Sequence, residues 1–184
     1  MLDSSDRLTP PPQRVLVAGP SGAGKTTFAQ QIERVAGLPH TEVDALFHGP
    51  GWTPRPDFVE AVDAFTREPR WVTEWAYTSQ LGNLVVSRAD TLVALDYPVL
   101  LHMSRLVLRT IRRSVRRVEL WNGNVEPPLR TFFGNPEHII RWGWKGRARI
   151  RANVVAAERD WPQLRVVRLR SQRQADAWLR SLAL

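Results

Sequence analysis

Gly19-Pro-Ser-Gly-Ala-Gly24-Lys25-Thr26 fits the spacing G-x-x-x-x-G-K-[ST]. The chemistry of such a stretch is phosphate binding. Glycines let successive backbone N–H groups converge on one concave surface with no Cβ in the way. A helix starting just after them adds unpaired donors and a partial positive charge. Lys25 supplies a full charge for β- and γ-phosphates, the Thr26 hydroxyl can ligate Mg²⁺, and Ser21 can donate to a phosphate. Gly19, Pro20, Ser21, Gly22, Ala23, Gly24, Lys25, Thr26 and Thr27 are therefore predicted to cradle a nucleoside triphosphate.

Three carboxylates, Asp44, Glu74 and Asp96, each stand at the end of an apolar, β-rich run. Ligands of open parallel sheets collect outside such carboxyl ends. Phosphoryl transfer needs a metal held near the β- and γ-phosphates and an acceptor held in line. One carboxylate would place Mg²⁺ and another would orient or deprotonate the acceptor. Asp96 also reads as a loop cap or ion-pair partner. Arginine is the other concentrated type: between positions 98 and 157 there are eleven Arg and one Lys against three Glu, a net of +9 in a chain of net +8. Arg105, Arg109, Arg112 and Arg116 lie near one helical stripe with Arg113 and Arg117 beside it. Six like charges so placed call for an anion, or else form a solvated face.

The elements that must position these groups follow from periodicity. Strands are predicted at 14–18, 40–44, 70–74, 91–96 and 164–169, alternating with helices. Residues 1–13, with three consecutive prolines, are expected to form a disordered or extended arm. The first helix should end near Gly37, and another should run from about Asp57 with Phe58, Val62 and Phe65 on one face. Two long helices, from about 99 to 118 and from Asn135 to about 158, flank a Pro- and Gly-rich loop. In the first, Met103, Val107, Ile111, Val115 and Val118 are the predicted buried side. The last helix opens at Ser171 with Gln174 three residues on, a capping box. The expected fold is a three-layer, doubly wound α/β domain over 14–184 with a parallel five-stranded sheet. With no cysteine there is no disulfide or thiolate site, and no apolar run approaches a membrane span, so a cytoplasmic setting is expected.

The pattern resembles the adenylate-kinase-like P-loop kinases, most closely the bacterial group often labelled DNA topology modulation proteins. The matching residues are Gly19 to Thr26, Val43-Asp44-Ala45-Leu46 with Trp52 and Pro54, Trp71-Val72, Arg88-Ala-Asp90 and Leu95-Asp-Tyr-Pro98. Further matches are Arg109-Thr-Ile-Arg-Arg113, Leu120-Trp-Asn-Gly-Asn124 with Glu126, and Leu169-Arg-Ser171. That group typically has Asp-Gly-Asn-Tyr where this chain has Glu74-Trp-Ala-Tyr77; the carboxylate is kept, one methylene longer.

The resemblance implies ATP and Mg²⁺ as cofactors, with Asp44 facing the acceptor and Glu74 nearer the metal or the acceptor oxygen. It implies an acceptor region over 44–67 and an Arg-rich lid over 105–151, from which Arg109, Arg113 and Arg117 close over the triphosphate. Trp52, Arg55 and Arg88 are candidates on the acceptor side, with the two arginines suited to a phosphorylated acceptor. His48 lies in the same loop as a further candidate or a structural donor, and Trp121 either anchors a closed lid or stacks on a base. The implied reaction is transfer of a γ-phosphoryl group to a nucleoside monophosphate, a nucleoside or another hydroxyl compound. The competing reading is a nucleotide-dependent nucleic-acid-binding protein, in which the +9 segment and its tryptophans track a phosphate backbone. A monomer is the favoured oligomeric state.

Overall fold

The computed structural model describes residues 1–116, 118–125 and 139–183, with side chains throughout except at 139–147. Four strands form one parallel sheet in the order β2-β1-β3-β4: β1 Arg14–Ala18, β2 Trp71–Glu74, β3 Thr91–Leu95 and β4 Arg165–Leu169. Val15 pairs with both Val72 and Thr91, and Val93 pairs with Val167. The strands are short apolar runs because both sheet faces are covered. One face buries Phe28 and Ile32 of helix α1 (Lys25–Ala36) and Trp178 of helix α7 (Gln172–Leu182) against Val15, Val17, Val93 and Val167. The other buries Val62 of α3 (Phe58–Thr66) and Val154 and Ala157 of α6 (Ile139–Asp160) against Leu16, Leu92 and Val166. The result is the expected three-layer α/β arrangement.

The sheet has four strands rather than the five the sequence suggests. Residues 38–41 do run beside β2, but only His40 and Val72 form a bridge, with Thr41 N–H bonded to the Val72 carbonyl. The chain then coils into the one-turn helix α2 (Val43–Phe47), whose first N–H, that of Val43, points at the Glu74 carboxylate. Asp44 therefore stands in the first turn of a helix, not at the end of a strand.

One further expectation is corrected, and residues 1–13 lie against the domain. Leu2 bridges Val167 in parallel, Leu2 and Leu8 pack on the core, and the Asp90 carboxylate accepts from the Gln13 and Arg14 N–H groups. Helix α5 (Val99–Arg116) turns a different stripe inward. His102, Leu106 and Thr110 are buried, whereas Leu108 is 67% and Val115 72% exposed. The capping box at Ser171 forms as expected, its hydroxyl accepting from Gln174 N–H.

Candidate active site

The phosphate-loop stretch leaves β1 at Ala18 and enters α1 at Lys25. Gly22 and Gly24 take positive φ values of 82° and 88°, a region that costs other residues strain. A Cβ on Gly24 would meet nothing within 4 Å, while one on Gly22 would stand 2.1 Å from the His102 carbonyl oxygen. The loop is thus open on one side and pressed on the other by α5. No side chain caps the start of α1, so its leading N–H groups are left for a ligand. Lys25 Nζ donates to the Gly19 carbonyl at 3.0 Å. Burial holds the Lys25 ammonium below its ordinary pKa, opposed by the charges of Asp44 and Glu74. These groups suit a triphosphate with its metal: oriented N–H donors, an ammonium, and the hard oxygens of Thr26 and Glu74.

Glu74 is the hub of the site. It closes β2 with only 6% of its side chain exposed. Burial favours its neutral form, yet His40 Nε2 at 3.1 Å, the Thr26 hydroxyl and its backbone contact hold its pKa below the usual carboxylate value. His40 mirrors this: burial lowers its pKa, but Glu74, Glu42 and Glu33 outweigh burial and raise it overall. Thr26 and Glu74, the two residues expected at a metal, are therefore near enough for the hydroxyl to favour the ionised carboxylate.

Asp44 is held from the acceptor side. Tyr77 donates its hydroxyl to Asp44 Oδ1 at 2.7 Å and lies 3.1 Å from His48 Nε2. Burial, and then the Asp44 charge, push the Tyr77 phenol far above its ordinary pKa, so it remains a donor. Burial also lowers the His48 pKa. No sequence argument singled out Tyr77; its left-handed backbone (φ 53°) after the Glu74-Trp-Ala stretch is visible only in three dimensions.

The remaining expected residues divide into two groups. Arg109 lies close enough for its charge to lower the Lys25 pKa, and Arg113, half-buried, follows it one turn along α5. Arg117 lies outside the described residues. Trp52 reaches the segment after α5, donating its indole N–H to the Val125 carbonyl. By contrast, the Arg55 guanidinium is engaged by Asp57 at 3.0 Å. Arg88 bonds the Asp63 carboxylate and carbonyl and the Thr66 hydroxyl, bracing α3. Asp96 is an ion-pair partner: it pairs with Arg151 at 2.7 Å and with Arg168. Burial would raise its pKa, but the two guanidiniums hold it below the carboxylate range. Among the described residues there is no cluster of three His, Asp or Glu placed to hold a metal unaided.

No protein-family model and no curated protein sequence matches the chain. Solved structures do. A shikimate kinase from Acinetobacter baumannii, in complex with shikimate, aligns over 97% of this chain and 94% of its own at 16% identity and a TM-score of 0.54. A gluconokinase from Sinorhizobium meliloti 1021 aligns over 94% and 92% at 16% identity and a TM-score of 0.48. The chain thus shares the α/β fold of that shikimate kinase. No helix among the described residues is long and apolar enough to cross a membrane.

Proposed function

We propose that this protein is an ATP-dependent phosphotransferase acting, with Mg²⁺, on a hydroxyl group of a small acceptor. The observation that carries this reading is the open Gly24 turn and uncapped start of α1 around Lys25, whose ammonium lies in the field of Asp44 and of Glu74 at the end of β2. Lys25 and the N–H groups of Gly22 to Thr27 hold the phosphates, and Arg109 and Arg113 stabilise the charge that spreads over them in the transition state. Thr26 and Glu74 would hold Mg²⁺, directly or through its water shell, and the metal would offset phosphate charge there.

Asp44, with Oδ1 fixed by Tyr77, takes the acceptor proton on Oδ2. The acceptor oxygen bonds to the γ-phosphorus as the bond from that phosphorus to the β–γ bridging oxygen breaks, releasing ADP. Resemblance to the topology-modulation group and the exposed Arg109, Arg112 and Arg116 of α5 support a second reading, nucleotide-dependent binding of nucleic acid.

One screen separates the two. ADP release is measured with MgATP over nucleoside monophosphates, nucleosides and sugar acids, with Lys25→Ala as the blank. Acceptor-dependent release that falls by about 10²–10³-fold in Lys25→Ala is expected. ATP binding with no acceptor-stimulated release, together with salt-dependent DNA binding, would overturn the kinase reading.

A further inference from the structure

The turn Leu120-Trp-Asn-Gly-Asn124 leaves α5 on the donor side, yet it is fastened to the acceptor loop. The Asn124 carboxamide accepts from Trp52 N–H at 2.8 Å and donates to the Gly49 carbonyl at 2.9 Å and the Trp121 carbonyl at 2.8 Å. Asn122 donates to the His48 carbonyl, and Trp52 Nε1 to the Val125 carbonyl. Asn124 is itself 4% exposed. Held this way, the Trp121 ring stacks on His48 with centroids 5.7 Å apart and meets Trp52 edge-on at 6.3 Å. Its side chain lies near enough to Glu42 to favour that carboxylate's charged form. His48 in turn touches Tyr77, the residue that fixes Asp44.

Among the described residues, three carboxylates crowd this aromatic face, with His40 paired to one of them. Glu42, Asp44 and Glu74 are near enough to repel one another, and after burial itself that repulsion raises the Glu42 pKa. Of the cations expected to receive an anionic acceptor, Arg55 is engaged by Asp57 and Arg88 by Asp63. Lys25 belongs to the phosphate loop. An acceptor phosphate or carboxylate would meet like charge and find no free partner among these groups. Flat rings beside carboxylates suit the apolar face and hydroxyls of a sugar ring or a nucleoside.

We propose that Trp121, positioned by Asn124, is a wall of the acceptor site, and that the site takes an uncharged ring-bearing polyol, sugar or nucleoside, rather than an anion. The proposal rests on the phosphotransferase reading, since it names that reaction's acceptor. The step balances as above: a ring hydroxyl loses its proton to Asp44, its oxygen gains the γ-phosphoryl group, and ADP leaves.

The test uses the full-length protein with matched probes: adenosine against AMP, uridine against UMP, and glucose against gluconate. ADP release with MgATP and, separately, probe binding by calorimetry are measured for the wild type, Trp121→Ala and Trp121→Phe. The neutral member of at least one pair is expected to show kcat/KM about tenfold or more above its anionic partner. Trp121→Ala should raise KM for that probe about tenfold with little change in kcat, as loss of one stacking face does, and Trp121→Phe should recover most of it.

Preference for AMP, UMP or gluconate would overturn the acceptor class while leaving the kinase reading intact. An unchanged KM in Trp121→Ala would overturn the wall. If no probe elicits ADP release above the Lys25→Ala blank, the kinase reading fails, and binding then decides the wall. Neutral probes that do not bind, or that bind Trp121→Ala as tightly as the wild type, would overturn it.

Discussion

At the scale of single residues, the site is a set of paired groups whose charges depend on one another. His40 Nε2 lies 3.1 Å from Glu74 Oε1, and neither side chain is exposed by more than 6%. The His40 pKa is raised, so its share of folding stability is complete below the ordinary histidine value of about 6.5 and fades as pH rises through the folded-state value. The Glu74 pKa is lowered, so its share is present above about 4.3 and fades as pH falls through the folded-state value. The pair is strongest between those limits. His40→Ala should cost about 1–3 kcal/mol near pH 6 and progressively less in alkaline solution. Thermal unfolding of both proteins from pH 5.5 to 9 checks this; parallel curves for the two would remove His40 from the linkage.

At the scale of elements, the phosphate loop and α5 are designed as one contact. Gly22 has no Cβ, and that vacancy admits the His102 carbonyl and Leu106 of α5. The approach decides which stripe of α5 faces inward. Gly22→Ala must both strain a positive φ and displace α5, so a loss of about 2–3 kcal/mol is expected, with weakened ATP binding. Unfolding midpoints and an ATP titration read the two effects separately. Arg88 presents the opposite case. Sequence placed it at the acceptor, whereas its bonds to Asp63 and Thr66 brace α3. Arg88→Ala is expected to cost about 1–3 kcal/mol and to leave the acceptor KM unchanged. A raised KM at intact stability would return Arg88 to the substrate.

At the scale of the whole molecule, Asp96 ties separate parts together at the carboxyl end of the sheet. It follows β3 directly and holds Arg151 of α6 and Arg168 of β4. Asp96→Asn should lower stability by about 2 kcal/mol, less than a fully buried pair because Arg151 is half exposed. Turnover per folded molecule should persist, which steady-state rates on protein quantified by circular dichroism can show. Loss of turnover in a folded variant would make Asp96 catalytic.

What the sequence determined by itself is whatever is local. The strand–glycine turn–helix at 14–36, the apolar runs of β1, β3 and β4, the Gly37 stop and the Ser171 cap each depend on neighbours a few residues away, so their spacing suffices. Lys25, Thr26 and Glu74 could be named for the same reason: each lies at the end of a readable element. Tertiary structure decided what depends on distant partners. Residues 40–44 have strand-like composition, but the Glu74 carboxylate draws the Val43 N–H into a helix. The apolar residues of α5 allow more than one inward stripe, and a missing Cβ on a loop eighty residues earlier chooses among them. The edge of β4 offers Leu2 a ladder partner that no local pattern contains. Charged residues show the limit most plainly. Composition reveals that Arg55, Arg88 and Asp96 exist, but only the fold shows their counter-charges: Asp57 for Arg55, Asp63 for Arg88, and Arg151 with Arg168 for Asp96.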